Sequence, residues 1–185
     1  TGHAEVTFLA LESYNYLDLL FPELKRVLTK KNNYARKFIT AGLKSTDTRF
    51  SKQQSLSSGF FLGVLLWMIF EARLKTDVEQ YSHYYAAING SIHETIAQQQ
   101  TIISIPKRNS AMMRSMWVLQ FNLEKRRPKR VKSLLRHRYY SAAMDLLELR
   151  SQVDKLLVAK AKWWRQIEKS DEDETEAMIK ALYKK

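Results

Sequence analysis

Apolar positions recur every three or four residues along most of the chain, and the strict alternation of a half-buried strand is scarce. The spacing predicts an all-α protein, an irregular helical bundle or array with no sheet, and only five glycines and three prolines interrupt it. The stretch EVTFLALESYNYLDLLF reads as one helix from Glu5 that stops near Pro22. PELKRVLTK opens a second with Pro22 in its first turn, where the missing N–H is harmless. NYARKFITAGL predicts a third, amphipathic helix, and the polar run KSTDTRFSKQQSLSSG after it reads as a loop. FFLGVLLWMIF, from Phe60 to Phe70, is apolar on every face. It falls short of the about 20 residues that cross a bilayer, so it is assigned to a buried core helix.

Farther on, DVEQYSHYYAAINGSIHETIAQQQTIISIP predicts two helices broken at Asn89-Gly90 and ended before Pro106, because the residue preceding a proline is pushed out of helical geometry. From Pro106, placed as a first helical residue, the pattern puts Met113, Met116, Trp117, Gln120 and Leu123 on one stripe. Pro128 opens PKRVKSLLR, a helix with Val131, Leu134 and Leu135 on one side and Lys129, Lys132 and Arg136 on the other. Ser170 followed by Asp173 reads as the capping box of a last helix. These elements group into a helical body over 1–103, a basic region over 104–168 and a capped C-terminal helix over 169–185.

Charge then changes the picture. The chain carries +12, of which residues 104–138 hold +10. An excess this localised points to a polyanion or an anionic surface as partner. Between Lys125 and Arg138 there are eight cations and no carboxylate. A solvated helix face is normally mixed in sign, whereas a block of like charge repels itself until a phosphate backbone relieves it. Lys107 and Arg108 fall in a first turn, where the helix dipole disfavours cations and free N–H groups favour anions. The candidate anion-binding residues are therefore Lys107, Arg108, Lys125, Arg126, Arg127, Lys129, Arg130, Lys132, Arg136 and Arg138, with His137 and Tyr139 beside them. Of the neighbouring rings, Trp117, Phe121 and Tyr140 lie on core stripes, and Tyr139 is the one left open to stack on an unpaired base. Trp163-Trp164 lie farther along.

Catalytic and metal constellations are lacking. His3, His83, His93 and His137 have no metal-ligand spacing, HETIA is not a zinc-protease motif, and the chain has no cysteine for a thiolate site or disulfide. Asn89-Gly90-Ser91 matches a glycosylation frame, yet nothing at the start of the chain reads as an export signal, and a reducing cytoplasm is expected. Asp171-x-Asp173 has a magnesium-like spacing but is better used as a cap.

The order LKSTDTRF (43–50), SIPKR (104–108), a Trp-bearing helix, KRVKSLLRHRYYSAAMDLLELR (129–150) and KWW (162–164) resembles the C-terminal part of bacterial poly(A) polymerases. Those are relatives of the CCA-adding tRNA nucleotidyltransferases. The segment from Lys129-Arg130 through His137 into Ala142-Ala143-Met144-Asp145 is its most specific piece and resembles the arginine-rich region that CCA-adding enzymes generally lack. The resemblance implies that this chain has no catalytic site of its own. A head domain elsewhere would carry Gly-Ser and an Asp-x-Asp pair and use ATP and magnesium, and Gly90-Ser91 has no such pair after it. It implies RNA as partner, as single-stranded 3′ ends or alternatively tRNA, with Lys107, Arg108, Lys129, Arg130 and His137 facing it. Thr46, Asp47 and Arg49 would form a hydrogen-bonded structural turn. The chain departs from its relatives at His137-Arg138-Tyr139, where they carry His-Pro and a basic residue. The rival from another class is a helical scaffold whose basic face docks an acidic protein or anionic lipid.

Overall fold

The computed structural model describes residues 2–28, 33–54, 57–79 and 83–183. Among them are eleven α-helices, two 3₁₀ turns and no strand. The chain divides into two compact units, Thr1–Arg114 and Ser115–Lys185, with the division inside helix α7 (Lys107–Lys125).

The first unit contains α1 (Ala4–Ser13), α2 (Tyr16–Leu20), α3 (Pro22–Val27), α4 (Asn33–Ser51), α5 (Ser58–Asp77) and α6 (Tyr84–Gln100). Its centre is α5, started by Ser57, whose hydroxyl accepts from the Phe60 N–H. Phe60, every residue from Val64 to Phe70, and Leu74 are buried, as the apolar run predicts. The single opening helix is a correction: the chain breaks after Ser13, with Asn15 left-handed at φ 60°. Asparagine tolerates that conformation better than most residues, and the reversal lets both Phe8 and Leu17 be buried.

Two further expectations are overturned in this unit. KSTDTRFS is helix rather than loop, since α4 runs unbroken to Ser51. The hydroxyls of Thr46, Thr48 and Ser51 donate to the carbonyls of Gly42, Lys44 and Thr48, so the polar run satisfies itself within its own helix. Asp47 in it is hydrogen-bonded as expected, but across helices: its carboxylate accepts from the Ala4 and Glu5 N–H groups at 2.6 and 3.1 Å. It thereby caps α1 from a distance. Nor does Asn89-Gly90 break α6. Ala87, Ile88, Ile92 and Ile96 are buried, and the Ser91 hydroxyl donates to Asp77 at 2.6 Å. That packing outweighs the about 1 kcal/mol helix penalty of one glycine.

The second unit holds the end of α7, a 3₁₀ turn (Pro128–Arg130), α8 (Val131–Leu135), α9 (Tyr140–Ser151), a second 3₁₀ turn (Lys155–Leu157), α10 (Val158–Lys169) and α11 (Glu172–Leu182). Helix α7 starts one residue later than expected, at Lys107, and its stripe is as read: Met113, Met116, Trp117, Gln120 and Leu123 are all fully buried. Gln120 joins a polar network. Its Nε2 donates to the Ala143 carbonyl, its Oε1 accepts from Arg150, and Arg150 also pairs with Glu124 at 2.7 Å. Arg165 fixes α10 to α9 by bonding both oxygens of Glu148 at 2.6 and 2.9 Å and Asp145 at 3.2 Å. The Glu148 bonds, opposed by burial, hold its guanidinium above the ordinary arginine range. The cap of α11 is Asp171, not Ser170: its carboxylate accepts from the Glu174 N–H at 2.9 Å.

Candidate nucleic-acid interface

The basic segment between α7 and α9 is held from beneath at three places. At its start, the Trp164 indole N–H donates to the Leu123 carbonyl at 2.8 Å. In its middle, Val131 and Leu134 are buried. At its end, Tyr140 packs edge-on against Trp164 with centroids 6.0 Å apart, and its hydroxyl donates to the Trp164 carbonyl at 3.4 Å. Burial pushes the Tyr140 phenol well above its ordinary range, so it remains a neutral donor. A single tryptophan on α10 thus secures both ends of the segment.

The sequence reading predicts one helix from Pro128, but the path is broken. Arg126 is left-handed at φ 43°, Arg127 is extended before the proline, and a 3₁₀ turn precedes a five-residue helix. Left-handed geometry costs a residue other than glycine roughly 1–2 kcal/mol. The apolar face is correspondingly narrower: Leu135 is only half-buried. Lys125, Arg127, Lys129, Arg130, Lys132, Arg136, His137 and Arg138 are exposed, while Arg126 and Tyr139 are half-buried. Glu124, the acidic neighbour, pairs with the buried Arg150 and reaches Lys160 at 4.0 Å.

Within the basic segment, Arg126 and Arg138 stand over aromatic rings. The Arg126 guanidinium lies 5.6 Å from the centroid of Trp163, and that of Arg138 lies 5.3 Å from Tyr139. His137 Nδ1 accepts from the Tyr139 N–H at 3.1 Å, which shapes the turn between α8 and α9. In the first unit, Lys107 and Arg108 are exposed in the first turn of α7, in keeping with the sequence reading.

The carboxylate-free face expected around Lys132 is corrected by the fold. Lys132 Nζ lies 3.1 Å from Glu176 and 3.8 Å from Glu172, both on α11. The hydrogen bond from Lys132 holds the Glu176 carboxyl below the usual carboxylate range. These partners escaped the sequence reading, which noted Trp163 among the rings near the cations without pairing it to one. The acidic run SDEDETEA was visible, but no local spacing connects Glu176 to a lysine 44 residues earlier.

Residues 80–185 match the family model described as the polymerase A arginine-rich C-terminus. The chain belongs to this family. Over 98% of its length it is 30% identical to Poly(A) polymerase I of Salmonella typhimurium and 28% identical to Poly(A) polymerase I of Escherichia coli O157:H7. Over 96% it is 26% identical to that of Haemophilus influenzae. In each case it spans 40% of the relative's length. The arginine-rich model takes in α6 to α11 and with them SIPKR and the basic segment, whereas LKSTDTRF lies before it and is covered by the similarity to the polymerases. Among the described residues no cluster of three or more His, Asp or Glu is placed to hold a metal, and no helix is long and apolar enough to cross a membrane.

Proposed function

We propose that residues 125–139 are a phosphate-tracking surface for single-stranded RNA, within the arginine-rich C-terminal region of a bacterial poly(A) polymerase acting in the cytoplasm. The region positions RNA 3′ ends for template-independent addition of AMP, with ATP and magnesium handled by a catalytic head outside this chain. The observation that carries the reading is a dense run of exposed cations anchored to a rigid base by Leu123, Val131, Leu134 and Tyr140. Such a surface meets a flexible polyanion without having to be ordered first. Lys107 and Arg108 add to the cationic surface of the first unit. Binding through phosphates gives little choice of sequence.

The test is salt dependence. Each phosphate contact to a single strand contributes roughly 0.7 to the log–log slope of affinity against salt. Replacing Lys129, Arg130 and Arg136 by Gln should flatten the slope by about 2 and weaken oligoadenylate and mixed-sequence strands equally. A folded tRNA should bind more weakly than a single strand of equal charge. An unchanged slope in the triple variant overturns the assignment of this segment, and preferential retention on anionic vesicles favours a lipid partner instead.

A further inference from the structure

Trp163 is half-buried on α10, beside the fully buried Trp164, with the two rings 5.0 Å apart and nearly perpendicular at 87°. Trp164 is itself fixed by its bond to the Leu123 carbonyl, and α10 is clamped to α9 by Arg165. Trp163 therefore presents its ring from a rigid support, next to Arg126 of the basic segment. What covers it is the Arg126 guanidinium, carried by a residue in the left-handed conformation that glycine would adopt without strain. A helix end that merely needed to turn is better served by glycine, so the position holds an arginine at a conformational cost. A guanidinium plane and a nucleobase occupy an aromatic face in the same way.

Building on the RNA-binding reading above, we infer that Trp163 is a stacking platform for one unpaired nucleobase. Arg126 covers its face in the free protein and turns to the adjacent phosphate when the base arrives. The basic segment then supplies charge along the strand, and Trp163 supplies a contact to a base. Because every base has a π-face, the platform fixes the position of the strand while remaining tolerant of sequence. Exposed rings on a cationic surface are common, but here the ring is preorganised and already carries a planar cation that a base can replace.

The experiment compares an oligoadenylate of about 12 nucleotides with an abasic ribose-phosphate strand of the same length, bound to the 185-residue chain and its variants. Trp163→Leu keeps apolar bulk but removes the ring. It should weaken oligoadenylate binding by about fivefold to hundredfold, leave the salt slope unchanged and leave the abasic strand unaffected. Trp163→Phe should retain most of the affinity and remove the part of the tryptophan fluorescence quenching that oligoadenylate causes at this ring. Arg126→Gly should relieve the strained backbone, keep the difference between the two strands, and lower the slope by roughly 0.7. If Trp163→Leu binds oligoadenylate as tightly as the unaltered chain, with the salt slope intact, the platform is overturned while the RNA-binding reading stands. If the unaltered chain binds neither strand, that reading fails and the platform with it. Parallel unfolding midpoints show whether any loss follows from a damaged fold, in which case the quenching decides: if Trp163→Phe is quenched by oligoadenylate as strongly as the unaltered chain, no base stacks on this ring and the platform is overturned.

Discussion

Trp164 donates its indole N–H to the carbonyl of Leu123, at the point where α7 gives way to the basic segment. Both residues are fully buried, so the bond is made where water cannot replace it. Trp164→Phe keeps most of the ring and removes the donor. It should cost about 1–3 kcal/mol, the range for a buried polar group left without its partner. Amides from Arg126 to Val131 should then exchange hydrogen faster than those of α5, because the loss is local to one end of the segment. Unaltered exchange there would mean that the segment is held by Val131, Leu134 and Tyr140 without help from the Leu123 bond.

Acid should loosen the first unit through Asp47 and Glu12. Burial alone would raise the Asp47 carboxyl, but the Ala4 and Glu5 N–H groups outweigh it and hold it below its ordinary range. The Arg36 hydrogen bonds do the same for Glu12. A carboxyl depressed in the folded state contributes stability that is present above its unfolded pKa of about 4 and is lost as pH falls through the folded value. Asp47→Ala should cost about 0.5–2 kcal/mol at neutral pH, as loss of a helix cap does. Asp47→Asn and Glu12→Gln should each flatten the acid limb of a midpoint-against-pH curve. Parallel acid limbs for all three proteins would refute this account.

What could be read from the sequence was what depended on neighbours three or four residues away. The Phe60–Phe70 helix and the stripe from Met113 to Leu123 are buried as expected, because an apolar face has only one place to go. Polar and glycine-bearing runs misled where distant groups decided the outcome. Asn89-Gly90 stays helical because Ile88 and Ile92 on either side are buried, and KSTDTRFS is tied down by the bonds of Asp47 to the Ala4 and Glu5 N–H groups, far away in the chain. The basic segment was conspicuous in the sequence, but its supports were not. Trp164 lies 41 residues from the carbonyl it holds, and no periodicity encodes that.

Gly42 shows how closely α4 and α5 approach. A Cβ at this position would overlap Val64 Cγ1, and Val64 is itself buried. Gly42→Ala gains helix propensity, worth about 1 kcal/mol, but forces two packed helices apart, and overpacking of this kind costs roughly 1–3 kcal/mol. The net effect should be destabilising. Adding Val64→Ala should recover part of the loss, giving a favourable coupling in a double-mutant cycle. Strictly additive effects would show that the backbone yields without resistance.

The carboxylates of α11 compete for the same lysine that a phosphate would use. Lys132 meets Glu176 at 3.1 Å and Glu172 at 3.8 Å, while the helix they belong to is capped separately by Asp171. The pairs are exposed and screened by solvent, so they add little to stability. Their effect should show in binding instead. With Glu172 and Glu176 both changed to Gln, RNA affinity should rise about twofold to fivefold, the equivalent of a surface pair's energy, and the salt slope should steepen by up to about 0.7. Unfolding midpoints should barely move, since the Asp171 cap is retained. Lys132→Gln should change the slope less in the unaltered chain than in the double variant, because only there is the lysine released to a phosphate. Equal affinity and equal slope in the double variant and the unaltered chain would show that α11 leaves the basic segment unopposed.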